Sequence, residues 1–191
     1  MTTIAILLFT DVEELDFAGP WEVFREAQSE DPTFDVFTVA ETLDPVTCAK
    51  GLRVLPDRTL ADAGQPDVIL VPGGRGTRTT GPEIAAWIAE ADRTTRWTTS
   101  VCTGSFLLAD AGVTAGKRVT TYHTQIENLR ARGDTGEVLA GERWVHDGKL
   151  VTAAGVSAGI DMSLWLLGEL RSPEFSRQVR DWIEYHPAPP Y

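Results

Sequence analysis

A chain of 191 residues, 42% hydrophobic and 24% charged, is long enough for one domain with one substantial core and too short for two. Twenty-eight acidic against seventeen basic residues leave a formal charge of −11, with no lysine or arginine stripe to grip a phosphate backbone, so nucleic acid is not an expected partner. No run of about 18 apolar residues occurs, and the start, MTTIAILLFTDVEELD, meets acid at Asp11 without a basic n-region; it reads as a strand, not a signal peptide or membrane anchor, and the expected location is the cytoplasm.

Along the chain, apolar runs of four to eight residues alternate with stretches of helical period, the order of βαβ units around a mostly parallel sheet. The spacing predicts strands over residues 4–9, 34–40, 68–71, 97–101, 119–121 and 150–153. Helices are predicted over 20–28, 82–91, 103–111, 125–132, 157–170 and 173–184. Pro20, Pro82 and Pro173 each stand where a first helical turn would begin, a position that tolerates a missing N–H. Asp147-Gly148 is a two-residue hairpin signal, so residues 144–153 should be locally antiparallel, and 47–55 reads as a second short hairpin. The proline-rich tail, residues 186–191, should be extended on the surface.

Cys48 and Cys102 allow one disulfide at most, and none is expected in a reduced compartment. The three histidines, His123, His146 and His186, show no zinc-type spacing, so metal catalysis is not expected.

In open α/β sheets, ligands collect beyond the carboxyl ends of the strands, which selects three loops. The first, EELDFAGPWEVF, places Asp16 ahead of the helix expected at Pro20. In the second, PGGRGT, Gly73 and Gly74 free the backbone to aim N–H groups inward. The third carries Cys102, with Ser100 and Gly104 as the small residues that a tight strand-to-helix elbow needs on either side of a nucleophile. A helix beginning at Thr103 would turn its positive end toward the sulfur and favour thiolate. An acid/base group, oxyanion donors and a nucleophile on one rim are the parts of an addition reaction. The plainer readings are a buried, inert thiol at Cys102 and a capping role for Asp16, while Glu13 and Glu14, close by, compete for the acid/base role. Cys48 reads as a packing residue.

The segments LDFAGPWEVF, VILVPGG, SVCTGSFLLADAGVTAGKRVTT, GVSAGID and EYHPAPPY together resemble the ThiJ/PfpI superfamily, most of all its isocyanide (isonitrile) hydratase branch, from Ile4 to Tyr191. The resemblance implies a flavodoxin-like (class I glutamine amidotransferase-like) three-layer sandwich, a cysteine nucleophile elbow and a homodimer. It implies conversion of a small-molecule isocyanide into an N-substituted formamide without metal or organic cofactor. Carried over by residue, Cys102 matches the branch's nucleophile and Asp16 its general acid/base. Gly73, Gly74 and Thr103 match the backbone around the reacting carbon, and Val156 an aliphatic pocket residue. Asp16 would then need a raised pKa, which burial beside Leu15, Phe17 and Trp21 supplies.

Two departures from the pattern stand out. Thr103 follows the cysteine where protease-like branches place histidine, which removes a Cys-His pair. Tyr122-His123 replaces the branch's common His-Trp after two threonines, an altered aromatic wall that bears on substrate range.

Two rival readings exist. GVSAG, residues 155–159, fits the G-x-S-x-G serine elbow, but only the tail-side His186 follows Ser157. Similar domains also precede helix-turn-helix modules in AraC-type regulators; no room for such a module is expected after Tyr191, yet a non-catalytic ligand sensor, or a redox sensor using Cys102 oxidation, fits the same fold.

Overall fold

A computed structural model of the chain describes residues 1–188. Its centre is a seven-stranded sheet of β1 (Thr2–Leu7), β2 (Phe34–Ala40), β5 (Arg58–Thr59), β6 (Val68–Val71), β7 (Trp97–Val101), β8 (Trp144–Asp147) and β9 (Leu150–Ala153), in the order β5-β2-β1-β6-β7-β9-β8. Only the edge strand β8 runs antiparallel, paired to β9 through the Asp147-Gly148 turn. A separate two-stranded ribbon joins β3 (Val46–Thr47) to β4 (Arg53–Val54), the short hairpin expected over 47–55.

From β1 the chain crosses to β2 through α1 (Glu14–Glu30), and from β6 it crosses in the opposite direction to β7 through α2 (Pro82–Asp92). Both crossovers being right-handed, the two helices lie on opposite faces of the sheet. Helices α5 (Ala158–Leu170) and α6 (Pro173–Trp182) pack with α1, and α3 (Gly104–Asp110) packs with α2, completing three layers. A short α4 (Ile126–Arg132) follows a 3₁₀ turn. Covered on both faces, the central strands read as continuous apolar runs: Ile4, Ala5, Ile6 and Leu7 of β1 and all four residues of β6 are fully buried. Among the described residues, no helix is long and apolar enough to cross a membrane.

Three local expectations are corrected. Helix α1 begins at Glu14, so Pro20 is an internal residue of its second turn and Asp16 belongs to the first turn, not to a loop. Pro20 has no N–H to give the Asp16 carbonyl, but its ring is buried and packs close to Gly159 of α5, and this tertiary contact outweighs the local preference. Residues 119–121 form no strand, only a single bridge between Val119 and Val138. Their polar groups go elsewhere: the Thr120 N–H donates to Thr152 Oγ1 at 2.8 Å, and Thr121 Oγ1 donates to the Cys102 carbonyl at 2.9 Å. The helix expected from Thr103 starts one residue later. The tail expected to be extended lies partly outside the described residues; 186–188 carry no regular structure.

Candidate active site

The parallel register that pairs Leu70 with Thr99 and Val71 with Ser100 brings the ends of β6 and β7 level, beside the end of β1. The strand order reverses around β1 and β6, so the crevice at their carboxyl ends is the place a ligand can enter.

Cys102 follows directly on β7 with φ of 56°, a left-handed conformation that costs an L-residue strain. The strain is held by four hydrogen bonds. The Cys102 N–H donates to the carbonyls of Ala153 (3.2 Å) and Ala154 (2.9 Å), and its carbonyl accepts from Thr121 Oγ1 (2.9 Å) and Ser105 Oγ (3.2 Å). Gly104 is glycine because the first turn of α3 presses on β6, and any Cβ there would collide with the Val71 carbonyl. Ser100 is fully buried, in keeping with the small residue expected two before the nucleophile.

Asp16 is fully buried, and its Oδ2 accepts a hydrogen bond from the Gly73 N–H at 2.9 Å. Burial pushes its carboxyl up to about 7; the Gly73 N–H opposes the shift, and the charge of Glu13 adds to it. Gly73 lies wedged between acid and elbow. A Cβ there would lie 2.5 Å from the Thr103 nitrogen, 2.6 Å from its Oγ1 and 2.9 Å from Asp16 Oδ2, so no larger residue fits without parting the two.

Asp16 and Cys102 perturb each other. Burial, then the facing Asp16 charge, push the thiol up to about 12, while the Thr103 amide and hydroxyl pull the other way. The thiolate expected from the helix end is therefore not the resting form. Helix α3 is only seven residues long, Cys102 is 7% exposed, and desolvation beside a carboxylate outweighs a few aligned N–H groups. With the carboxyl near 7 and the thiol near 12, sulfur keeps its proton at neutral pH, while the carboxyl stands about midway in its titration.

The two glycines serve differently from expectation. The Gly73 N–H is taken by Asp16, and the Gly74 N–H donates to Thr103 Oγ1 at 3.0 Å, so neither points free into the crevice as an oxyanion donor. Gly74, at φ of 134°, runs so close to the Asp11 carbonyl that a side chain is impossible. Both glycines position Asp16 and Thr103.

Above the sulfur opens a cavity of about 600 Å³ lined by Glu13, Lys50, Gly74, Arg75, Arg78, Cys102, Thr103, Tyr122, Gln125 and Val156. Val156 also has positive φ, 49°, an uncommon conformation for a β-branched residue. Tyr122 is pressed against Gly155, where a Cβ would overlap its ring, and His123 stacks on Tyr122 with centroids 4.5 Å apart. Glu13 and Glu14 are both tied to Lys50: Glu13 pairs with its ammonium, and Glu14 Oε1 accepts from its N–H at 2.6 Å. Arg75, Arg78, Lys50 and Gln125 were not legible as site residues in the sequence. The two arginines lie one and four residues past Gly74 on the loop already singled out, which was the available signal.

The serine-elbow reading fails on geometry. Ser157 is exposed, and none of the three histidines hydrogen-bonds to it. Cys48 is buried and unpaired, its thiol pushed up to about 11 by burial and then by Glu14.

Residues 2–169 match the DJ-1/PfpI family. The chain is 38% identical to an isonitrile hydratase of Pseudomonas putida, over 98% of this chain and 80% of that protein. It is 29% identical to an HTH-type transcriptional regulator, CdhR, of Pseudomonas aeruginosa over 72% of this chain and 41% of the regulator. Among solved structures, a ThiJ/PfpI family protein from Pseudomonas syringae superposes with a TM-score of 0.91 at 31% identity, covering all of this chain and 77% of that one. Drosophila melanogaster DJ-1beta, at 22% identity and a TM-score of 0.84 over 97% of this chain and 99% of its own, shares the fold. A cysteine elbow at the end of β7, an acid carried on α1 and these likenesses over almost the whole length agree: the chain belongs to the DJ-1/PfpI family.

Proposed function

We propose that this protein hydrates isocyanides to N-substituted formamides, with Cys102 as nucleophile, Asp16 as proton carrier and no metal or organic cofactor. The observation that carries the reading is the pairing of a strained thiol, which lines a cavity sized for a small organic molecule, with a buried carboxyl titrating near 7. The likeness to an isonitrile hydratase supports the choice of reaction.

In the first step Asp16 accepts the thiol proton as sulfur bonds to the terminal carbon of R–N≡C, then passes that proton to the carbon, leaving the thioimidate R–N=CH–S–Cys102. Water adds to the same carbon in the second step. Asp16 carries one of its protons to nitrogen, and the tetrahedral adduct collapses to R–NH–CHO as the remaining hydroxyl proton returns to sulfur through Asp16. The sum is isocyanide plus water giving formamide. Because sulfur attacks as its proton leaves, a resting thiol suffices and no standing thiolate is required.

The test is purified protein with a simple aryl isocyanide, following the formamide by chromatography. Turnover is expected, falling by about a thousandfold or more in Cys102→Ala. No formamide from a protein whose Cys102 still alkylates readily would overturn the proposal and favour a sensor, a role the likeness to CdhR makes reasonable.

A further inference from the structure

The mouth of the cavity is cationic in a chain of net charge −11. Arg75 and Arg78 begin and end the 3₁₀ turn Arg75–Arg78 that follows Gly74, and residues three apart in such a turn stand one above the other, so both side chains share a face. Both line the cavity. The turn beneath them is pinned: the Gly76 N–H donates to the Asp11 carbonyl at 3.2 Å, and Thr77 Oγ1 donates to the Gly74 carbonyl at 3.0 Å.

Elsewhere all the arginines but one are spoken for. Arg132, for example, holds Asp110 and Asp134. Among the described residues, only Arg53, Arg75 and Arg78 have guanidiniums with no hydrogen bond, ion pair or aromatic face, and two of those three line this cavity. The other charged groups lining the space, Glu13 and Lys50, pair with each other, and Asp16 is buried behind the lining, in contact with Gly73. The uncompensated charge at the mouth is therefore that of two planar donors suited to a carboxylate.

We infer that Arg75 and Arg78 form an anion subsite, and that the substrate is an isocyanide bearing a carboxylate, the isocyano carbon reaching Cys102 while the carboxylate rests between the guanidiniums. The substrate class rests on the hydratase reading; the subsite does not.

Two matched pairs of probes separate them. The first compares isocyanoacetate with its neutral ethyl ester. At low salt kcat/KM should favour the carboxylate by about tenfold, and the ratio should fall toward one in Arg75→Gln/Arg78→Gln and in high salt. Arg53→Gln, an equally unpartnered arginine away from the cavity, should leave the ratio unchanged. The second compares alkylation of Cys102 by iodoacetate and by iodoacetamide, which needs no hydratase activity. The iodoacetate-to-iodoacetamide ratio should drop by a similar factor in the double variant. Hydration of the ester with no carboxylate preference, and no change in either ratio on removing the arginines, would overturn the subsite and leave the hydratase reading standing. Failure to hydrate either isocyanide, with the alkylation ratio still set by the arginines, would overturn the substrate class along with the hydratase reading and keep the subsite.

Discussion

Replacing Asp16 by asparagine should make the stability of the fold depend on pH in the opposite sense to most carboxylate losses. The folded-state carboxyl titrates at about 7, above its ordinary 3.8, because burial disfavours the charge. A raised folded value means that the stability associated with this group is fully present below the unfolded pKa and is lost as pH rises through 7. A displacement from 3.8 to about 7 corresponds to roughly 4 kcal/mol at alkaline pH. Asparagine Oδ1 can still accept from the Gly73 N–H, but its amide nitrogen would stand where Asp16 Oδ1 now has no hydrogen-bond partner, costing about 1–3 kcal/mol. Urea unfolding of both proteins at intervals from pH 4 to pH 8.5 reads the difference directly. The variant should be the less stable at the acid end and more stable by about 1–3 kcal/mol above neutrality, with the crossing inside the window. Catalysis should meanwhile be lost, since the amide cannot carry the proton. A stability difference that stays level across the range would refute the claim that Asp16 is a strained, desolvated acid.

Three further outcomes follow from the same geometry. The pH profile of kcat/KM should fall about tenfold per unit below the Asp16 titration near 7 and flatten above it, because the attacking pair needs the carboxylate free to take the thiol proton; a profile rising only toward the thiol's own value of about 12 would mean that free thiolate attacks. Gly104→Ala keeps an allowed backbone but sets its Cβ against the Val71 carbonyl, where neither partner is a movable side chain, so unfolding measurements should show a loss of more than about 3 kcal/mol. Gly155→Ala meets only the Tyr122 ring, which can swing into the cavity. Its stability cost should be under about 1.5 kcal/mol, while the ratio of aryl to alkyl isocyanide turnover shifts by at least about threefold.

The periodicity of the chain by itself determined the parallel core. Runs such as residues 4–7 and Val68–Val71 are buried on both faces, and continuous apolar stretches of that length have few other uses in an α/β chain. The elbow was legible for a related reason: Ser100 and Gly104 are small because backbone folds back there, and that steric demand is local to the sequence. Asp16 and Gly73 could be placed on one rim because parallel strands send all their carboxyl ends the same way.

Tertiary structure decided what depends on contacts between distant segments. Whether α1 begins before or at Pro20 turns on packing against α5, and whether residues 119–121 join the sheet turns on side-chain hydrogen bonds to Thr152 and Cys102. The protonation of Cys102 also belongs here. A helix end close in sequence argues for thiolate, but desolvation and the charge of an acid 86 positions away argue more strongly for thiol, and a one-dimensional reading cannot weigh dielectric surroundings. For the same reason the free charge of Arg75 and Arg78 emerged only once every other arginine's neighbours were known.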